Sequence, residues 1–396
     1  MALGASAAPA QAQTLNDLFQ SQNLQKVELW LNKTDWSKLT ANFQENTYYP
    51  ADLIWNGQTV RNIGIRSRGR GSRSATKPGM RLDFNRYETD QTFLGVKSMI
   101  LDNLTQDPSG VHESVSMAFY ARLGIPAPRE IHTRLYVNGT LVGLYVMIES
   151  IDKDLLARVF GSIGDDVQND GHLYEFKYAD DWRFKYLGSG LDEYKIRFSP
   201  VTHEDASDEK LYRPIENLVR VVNETPSDRL KDALGGLLDI PAFIRFIAAE
   251  AFLADTDCFV GNFGMNNFYL YRLEASDQHV LIAWDSDNAF WGPTFSIDTS
   301  WNKNVLVDKL MAIPEYAALY RAEIQRSVEF AEADGGWLNN EIIRQVQMID
   351  AAMKEDPSKP YSLSNYEGSV GVMLGFTNDH LKFVKCELAN GVGKCQ

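Results

Sequence analysis

The sequence predicts an α+β fold, sheet-rich in its first half and mainly helical in its second. Three observations carry this. Two Asn-Gly pairs, Asn56-Gly57 and Asn138-Gly139, each join strand-like apolar runs, which is a strong hairpin signal. One well-punctuated helix lies between those hairpins. From about residue 205 onward the apolar spacing turns helical. With 396 residues, 44% hydrophobic and 23% charged, the chain is neither disordered nor fibrous. Its length suits roughly two to three domain-sized units, or one two-lobed enzyme with a cleft between its lobes. The 39 Lys+Arg against 53 Asp+Glu leave a net charge of −14, which argues against a general nucleic-acid or anionic-membrane binder. No apolar run reaches about eighteen residues, so no transmembrane segment is predicted.

Residues 1–24 read as a leader. Its start, Met1 to Gln13, is rich in small residues and holds Ala10-Gln11-Ala12, like the cleavage end of a signal peptide. The alternative is a floppy Ala-rich tail. Residues 25–150 form the sheet-rich lobe, with strands over Ala51–Trp55, Gln58–Arg66, Met80–Phe84, Arg134–Val137 and Thr140–Glu149. Within it Asp107 predicts a helix N-cap, Pro108 its first residue and Gly124 its end. Asp165–Gly171 reads as an exposed acidic loop. Residues 205–385 form the helical lobe. Asp239 caps a buried helix over Ile240–Ala254, one hairpin joins Asn267–Leu273 to His279–Trp284, and helices follow over Glu315–Ala331 and Asn339–Met353. In the tail, residues 386–396, the Asn390-Gly391 and Gly393 turn would bring Cys386 and Cys395 together, which fits an oxidising compartment; two reduced thiols are the alternative. Cys258 is expected to be buried, with no histidine near in sequence to activate it.

Two stretches carry chemistry. Arg66 to Lys77 holds five cations in twelve residues, with Gly69 and Gly71 allowing close backbone approach. That suits a phosphate cradle, although a solvated basic loop explains it as well. Asp255 to Asn267 leaves the buried helix and opens the third hairpin, whose far strand ends in Trp284-Asp285-Ser286-Asp287. Hairpin closure would gather Asp257, Asn262 and Asp285 at one edge. Such an all-oxygen set suits Mg²⁺ or Mn²⁺, and turn-forming strand caps are the plainer reading. Asp257 and Asn262 also keep the Asp-x4-Asn spacing of the protein-kinase catalytic loop.

Taken in order, these segments resemble the spore-coat CotH kinase family of atypical, secreted or surface-associated protein kinases, over roughly residues 27–385. The resemblance rests on Arg66 to Pro78, Leu101 to Ser109, Tyr136 to Asp152, Gly171-His172-Leu173-Tyr174, Asn267 to Tyr271 and Ala283 to Gly292. It implies a two-lobed, kinase-like fold that binds ATP with Mg²⁺ or Mn²⁺. By it Asp257 takes the catalytic aspartate role, and Asp285 holds metal. Asn262 is the second metal ligand, with Asn267 as alternative. Arg73 and Lys77 contact phosphates, Glu149 lies near adenine or ribose, and Glu113 pairs with Lys77. The sequence departs from the family at Glu175, where a Lys often follows Gly-x-Leu-Tyr; Lys177 stands two positions on.

The leading expectation is therefore an ATP-dependent kinase acting on Ser or Thr of a protein substrate that is secreted, periplasmic or on the cell surface. A second is a surface or coat structural protein that keeps the fold without catalysis. A third, a sugar-binding module, rests only on the 11% aromatic content.

Overall fold

The computed structural model describes residues 13–163 and 165–395; the signal-peptide-like start falls outside the described residues, at 1–12. The chain divides into two compact units. One takes the chain up to Asn103 together with Glu130–Ile148, and the other takes Leu104–Arg129 and Glu149–Gln396.

The first unit is built from strands Gln25–Trp30 (β1), Tyr49–Trp55 (β2), Gln58–Ser67 (β3), Met80–Asp83 (β4), Ser98–Asp102 (β5), Glu130–Val137 (β6) and Thr140–Glu149 (β7). They close into a barrel in the order β1-β2-β3-β4-β5-β7-β6. Closure leaves no sheet edge to be covered. A parallel β1–β6 pair, with Val27 opposite Leu135, closes the ring. Alternate residues point inward, so Val27, Leu29, Leu53, Ile63, Ile65 and Leu135 are fully buried. Both Asn-Gly pairs adopt two successive positive φ angles, 47° and 81° at Asn56-Gly57 and 49° and 78° at Asn138-Gly139, which is the type I′ turn that matches strand twist. Two short helices, Leu15–Phe19 (α1) and Lys33–Ala41 (α2), belong to this unit. The leader thus ends in ordered structure. Thr14 and Asp17 form a capping box, and Leu18 is buried.

The second unit holds helices His112–Arg122 (α3), Lys153–Phe160 (α4), Asp192–Lys195 (α5), Asp208–Glu224 (α6), Ser227–Gly235 (α7), Ile240–Phe252 (α8), Val305–Met311 (α9), Pro314–Glu355 (α10) and Leu363–Asn390 (α11). A two-residue ladder joins Ser162–Ile163 (β8) to Asp166–Val167 (β9), within the loop expected from sequence. The unit also carries its own antiparallel sheet of His172–Phe176 (β10), Phe198–Pro200 (β11), Phe268–Arg272 (β12) and His279–Ala283 (β13), in the order β11-β10-β12-β13.

Helix α3 lies in sequence within the sheet-rich half yet belongs to the second unit. Its Phe119 stacks on Phe252 of α8 at 5.2 Å, and Tyr120 stacks on Phe246 at 6.2 Å. Asp107 is not its N-cap. Gly110, at φ 70°, breaks the backbone, so the helix begins at His112. The Asp107 carboxylate instead accepts from Ser109 N at 2.8 Å and from His112 N at 2.7 Å, bracing the turn ahead of the helix. The far end is as expected: Gly124 N donates to Ala121 O and Ile125 N to Tyr120 O, a Schellman end with Gly124 at φ 75°.

The two late helices meet across a break at Asp334-Gly335-Gly336, all three left-handed, and run together as α10. Helix α11 ends at Gly391, and Cys386 is bonded to Cys395 beyond it. In the aromatic-rich segment 179–200 the rings of Trp182, Phe184, Tyr194 and Phe198 are buried. Trp182 stacks on Phe184 at 5.3 Å and on Phe176 of β10 at 6.3 Å. These rings are buried against one another, which removes the ground for sugar stacking there.

Two buried histidines make stability depend on pH. His279 and His380 donate through Nδ1 to Leu237 O and Pro293 O, and burial lowers each to about 4 from 6.5. A depressed folded pKa means that this stability is full above pH 6.5 and is lost as pH falls through about 4. Each should remove about 2 kcal/mol between pH 7 and 4.5. Urea unfolding of His380→Phe should show a shallower fall over that range than the parent; equal slopes would refute the assignment.

Candidate active site

Helix α8 is almost wholly apolar, so it sinks into the second unit and delivers the following loop to the end of the β12–β13 hairpin. Register places Phe268 opposite Ala283, so Asn267 and Asp285 flank the same hairpin end. Three residues here take left-handed backbone: Ala254 (φ 52°), Asn267 (φ 54°) and Asp285 (φ 56°). For Ala254, with a Cβ and no polar side chain to compensate, this costs about 1 kcal/mol, and such outliers concentrate at functional sites.

Asp257 lies at the centre of the arrangement. The Asn267 amide donates to its Oδ2 at 3.1 Å and to the Asp285 carbonyl at 3.0 Å. The Asn266 amide donates to both Asp257 oxygens at 3.2 and 3.3 Å. Burial pushes the Asp257 carboxyl above its ordinary range, while these two amides pull against that shift. The outcome is a half-buried, hydrogen-bonded carboxyl of raised basicity. Its neighbours Asn266, Asn267, Asp285, Asp287 and Asn288 are all partly exposed, over a floor that includes buried Asp255 and Ser286.

Asn262, expected beside metal, sits at the exposed tip of the loop and accepts from the Ser300 hydroxyl at 2.8 Å. The loop folds back on itself there, with Gly261 N donating to Cys258 O and Phe263 N to Thr256 O. Asn267, the alternative, is the amide that links Asp257 to Asp285. Asn266 was missed, since its spacing from Asp257 matches no kinase pattern. Glu113 is buried in the first turn of α3, which is tied to the Asp285 segment because His112 Nδ1 donates to Asp287 O at 2.9 Å.

Glu149 does not present a free carboxylate to a ribose. Arg129 donates from Nη2 to Oε1 at 2.8 Å, and Arg158 donates from Nη2 to Oε2 at 2.6 Å. Arg129 Nε, Arg129 N and Arg158 Nε add three more bonds. A carboxylate that ends a strand between two arginines is a structural pair, a geometry that strand position alone does not reveal. Lys177, one residue past the end of β10, pairs with Glu175 at 2.5 Å.

In the first unit, Arg73 is committed within its own loop. Its guanidinium donates to Gly69 O at 2.7 Å, Phe43 O at 3.0 Å, Glu45 O at 3.1 Å and Asn46 Oδ1 at 2.6 Å. It shapes the basic stretch and has little donor capacity left for phosphate. Lys77 is buried with its ammonium 5.4 Å from the Tyr145 ring centre, and Asn103 holds its carbonyl at 2.7 Å.

The residues around Asp257 fit a hard divalent cation in part. The oxygens of Asp257, Asp285 and the nearby amides are the donor type that Mg²⁺ or Mn²⁺ takes. Among the described residues no three Asp, Glu, His or Cys side chains are gathered into a cage. That matches an ion held by one or two carboxylates with substrate phosphates and water completing the shell.

Residues 65–384 match the family described as CotH kinase protein. Inner spore coat protein H of Bacillus subtilis (strain 168) is 21% identical over 374 residues, covering 93% of this chain and 98% of that protein. Among solved structures, HipA in the Shewanella oneidensis MR-1 toxin–antitoxin operator complex superposes with a TM-score of 0.41 at 11% identity, covering 90% of this chain and 73% of that one. The Helicobacter pylori proinflammatory kinase CtkA superposes with a TM-score of 0.29 at 10% identity, covering 78% and 94% respectively. Neither superposition is close enough to transfer a residue role.

The Glu149 pairing has a measurable consequence. Glu149→Ala leaves Arg129 and Arg158 without their shared partner and should lower unfolding stability by about 3 kcal/mol. Urea denaturation measures this; a loss below about 0.5 kcal/mol, the range of ordinary surface changes, would refute the structural role.

Proposed function

The chain belongs to the CotH kinase family, and on that premise we propose that it transfers the γ-phosphoryl group of ATP to a Ser or Thr hydroxyl of a secreted or surface protein. The observation that carries the proposal is the Asp257–Asn267–Asp285 linkage at one hairpin end, with the Asp257 carboxyl raised in basicity by burial.

In this reading Asp257 accepts a hydrogen bond from the substrate hydroxyl, orients it and takes its proton as the new O–P bond forms. The bond between the γ-phosphorus and the bridging oxygen breaks, and ADP leaves. Asn266 and Asn267 hold the carboxylate so that one face is directed to the substrate. Mg²⁺ or Mn²⁺, held by Asp285 with the side-chain oxygen of Asn267, would supply charge neutralisation for the phosphates; Asn262, turned to Ser300, is left out of that set. Lys77 is the proposed phosphate cation of the first unit, and Glu113 its proposed partner. Arg73 and Glu149 are proposed to shape their own segments without touching nucleotide.

A surface or coat location is part of the proposal. It is supported by the Cys386–Cys395 bond and by the name of the Bacillus relative. No helix among the described residues is long and apolar enough to cross a membrane. A second reading, a coat protein that keeps the fold without catalysis, draws on the same relative's name and on the Glu175–Lys177 pair, which neutralises the lysine nearest the family position.

Incubation of the purified chain with γ-labelled ATP and Mg²⁺ or Mn²⁺ separates the two. Label should pass to protein hydroxyls, and Asp257→Asn should reduce the rate about 10²–10⁴-fold. Asp285→Ala should abolish label transfer at the metal concentration that supports the parent. Absence of any nucleotide-induced thermal shift in the parent would refute the kinase reading and leave the structural one.

A further inference from the structure

Within the apolar helix α8 a single carboxyl is buried: Glu250 is 1% exposed. Its Oε1 accepts from Phe259 N at 3.1 Å, and its main-chain carbonyl accepts from Asp255 N at 3.1 Å. The Val260 N–H and the Cys258 thiol face the same carboxyl. Oε2 has no hydrogen-bond partner of ordinary geometry. From the other end, Arg183 Nη1 donates to Gly261 O at 2.8 Å, with Arg183 Nε held by Asp181 at 2.5 Å. The Arg183 side chain is itself nearly buried, and its carbonyl accepts from Val305 N at 3.0 Å. One carboxyl thus grips the amides of the loop and one guanidinium grips its carbonyl end. The span between them starts beside Asp257.

A buried carboxyl carries a desolvation cost that an apolar side chain of similar volume avoids, and here it is offset by the loop amide it accepts from. Packing gives no reason for it, since the positions around it on α8 are filled by Ile, Phe and Ala. We propose that Glu250 and Arg183 are positioning residues: they fix the Asp257–Gly261 backbone so that the Asp257 carboxylate is already oriented before substrate binds. The functional half of this rests on the phosphotransfer reading above. The structural half does not.

Two readouts keep those halves apart. Hydrogen–deuterium exchange of the ligand-free chain should show peptides spanning Asp257–Gly261 exchanging about tenfold faster in Glu250→Leu than in the parent. The thermal midpoint of that variant should fall modestly, because the Phe259 N–H is left buried without its acceptor. Glu250→Gln, which keeps the acceptor oxygen, should retain most of the protection. With ATP and Mg²⁺ as the only added ligands, label transfer by Glu250→Leu should fall about 10²-fold in kcat, with KM for ATP within about twofold. Unchanged exchange in Glu250→Leu would overturn the proposal whether or not the parent transfers phosphate. If exchange rises while kcat stays at the parent value, the positioning role is refuted and the contact is purely structural. A parent with protected loop amides and no label transfer would refute the kinase reading alone. Should Glu250→Leu fail to fold, Arg183→Lys decides by the same exchange measurement, because a single ammonium cannot hold Gly261 O and Asp181 in the same fork.

Discussion

The hydrogen bonds of one amide, Asn267, tie two distant segments of the second unit together. Its Nδ2 links the Asp257 carboxylate to the Asp285 carbonyl, so two segments about thirty residues apart in the chain act from one place. For this to hold, the β12–β13 register must be fixed, because a slip of one residue would turn Asn267 to the opposite face. The burial of both strands fixes it: Phe268, Leu270, Val280 and Ile282 are all enclosed. Left-handed backbone at Asn267 and Asp285 then turns both residues out of the strand direction. That is tolerable at Asn and Asp, whose short polar side chains can bond locally.

The same economy appears beneath the site. Aromatic rings from segment 179–200, α8 and the hairpin pack on Phe259 and Phe268. They surround the loop with a rigid apolar support. Polar contacts are few and specific against it, which is the condition under which a buried hydrogen bond is strong and an unmet one is costly.

The first unit offers a contrast. Its basic stretch looks like an open phosphate cradle when read as a string, yet the guanidinium of Arg73 closes the loop on itself through four acceptors. Cation count is therefore a poor measure of available charge. Donors already committed to backbone carbonyls bring no new bond to a ligand.

Local sequence by itself determined the hairpins, the Schellman end of α3, the Asp239 cap of α8, the division of α10 at Gly335-Gly336 and the hairpin that gathers Asp257 and Asp285. Each depends on residues within a few positions of one another, such as an Asn-Gly turn or a glycine that alone accepts positive φ. The family resemblance was legible for the same reason, since its motifs are contiguous. Tertiary structure alone decided that α3 joins the second unit, that residues 15–19 are ordered, and that Glu149 serves two arginines. It also decided that Asn262 faces Ser300 while Asn266 and Asn267 face Asp257, and that Glu250 and Arg183 hold the loop. These outcomes depend on partners distant in sequence or on the direction of a loop turn. Neither spacing nor composition carries that information, because a side chain's partner is chosen by the three-dimensional position of its backbone.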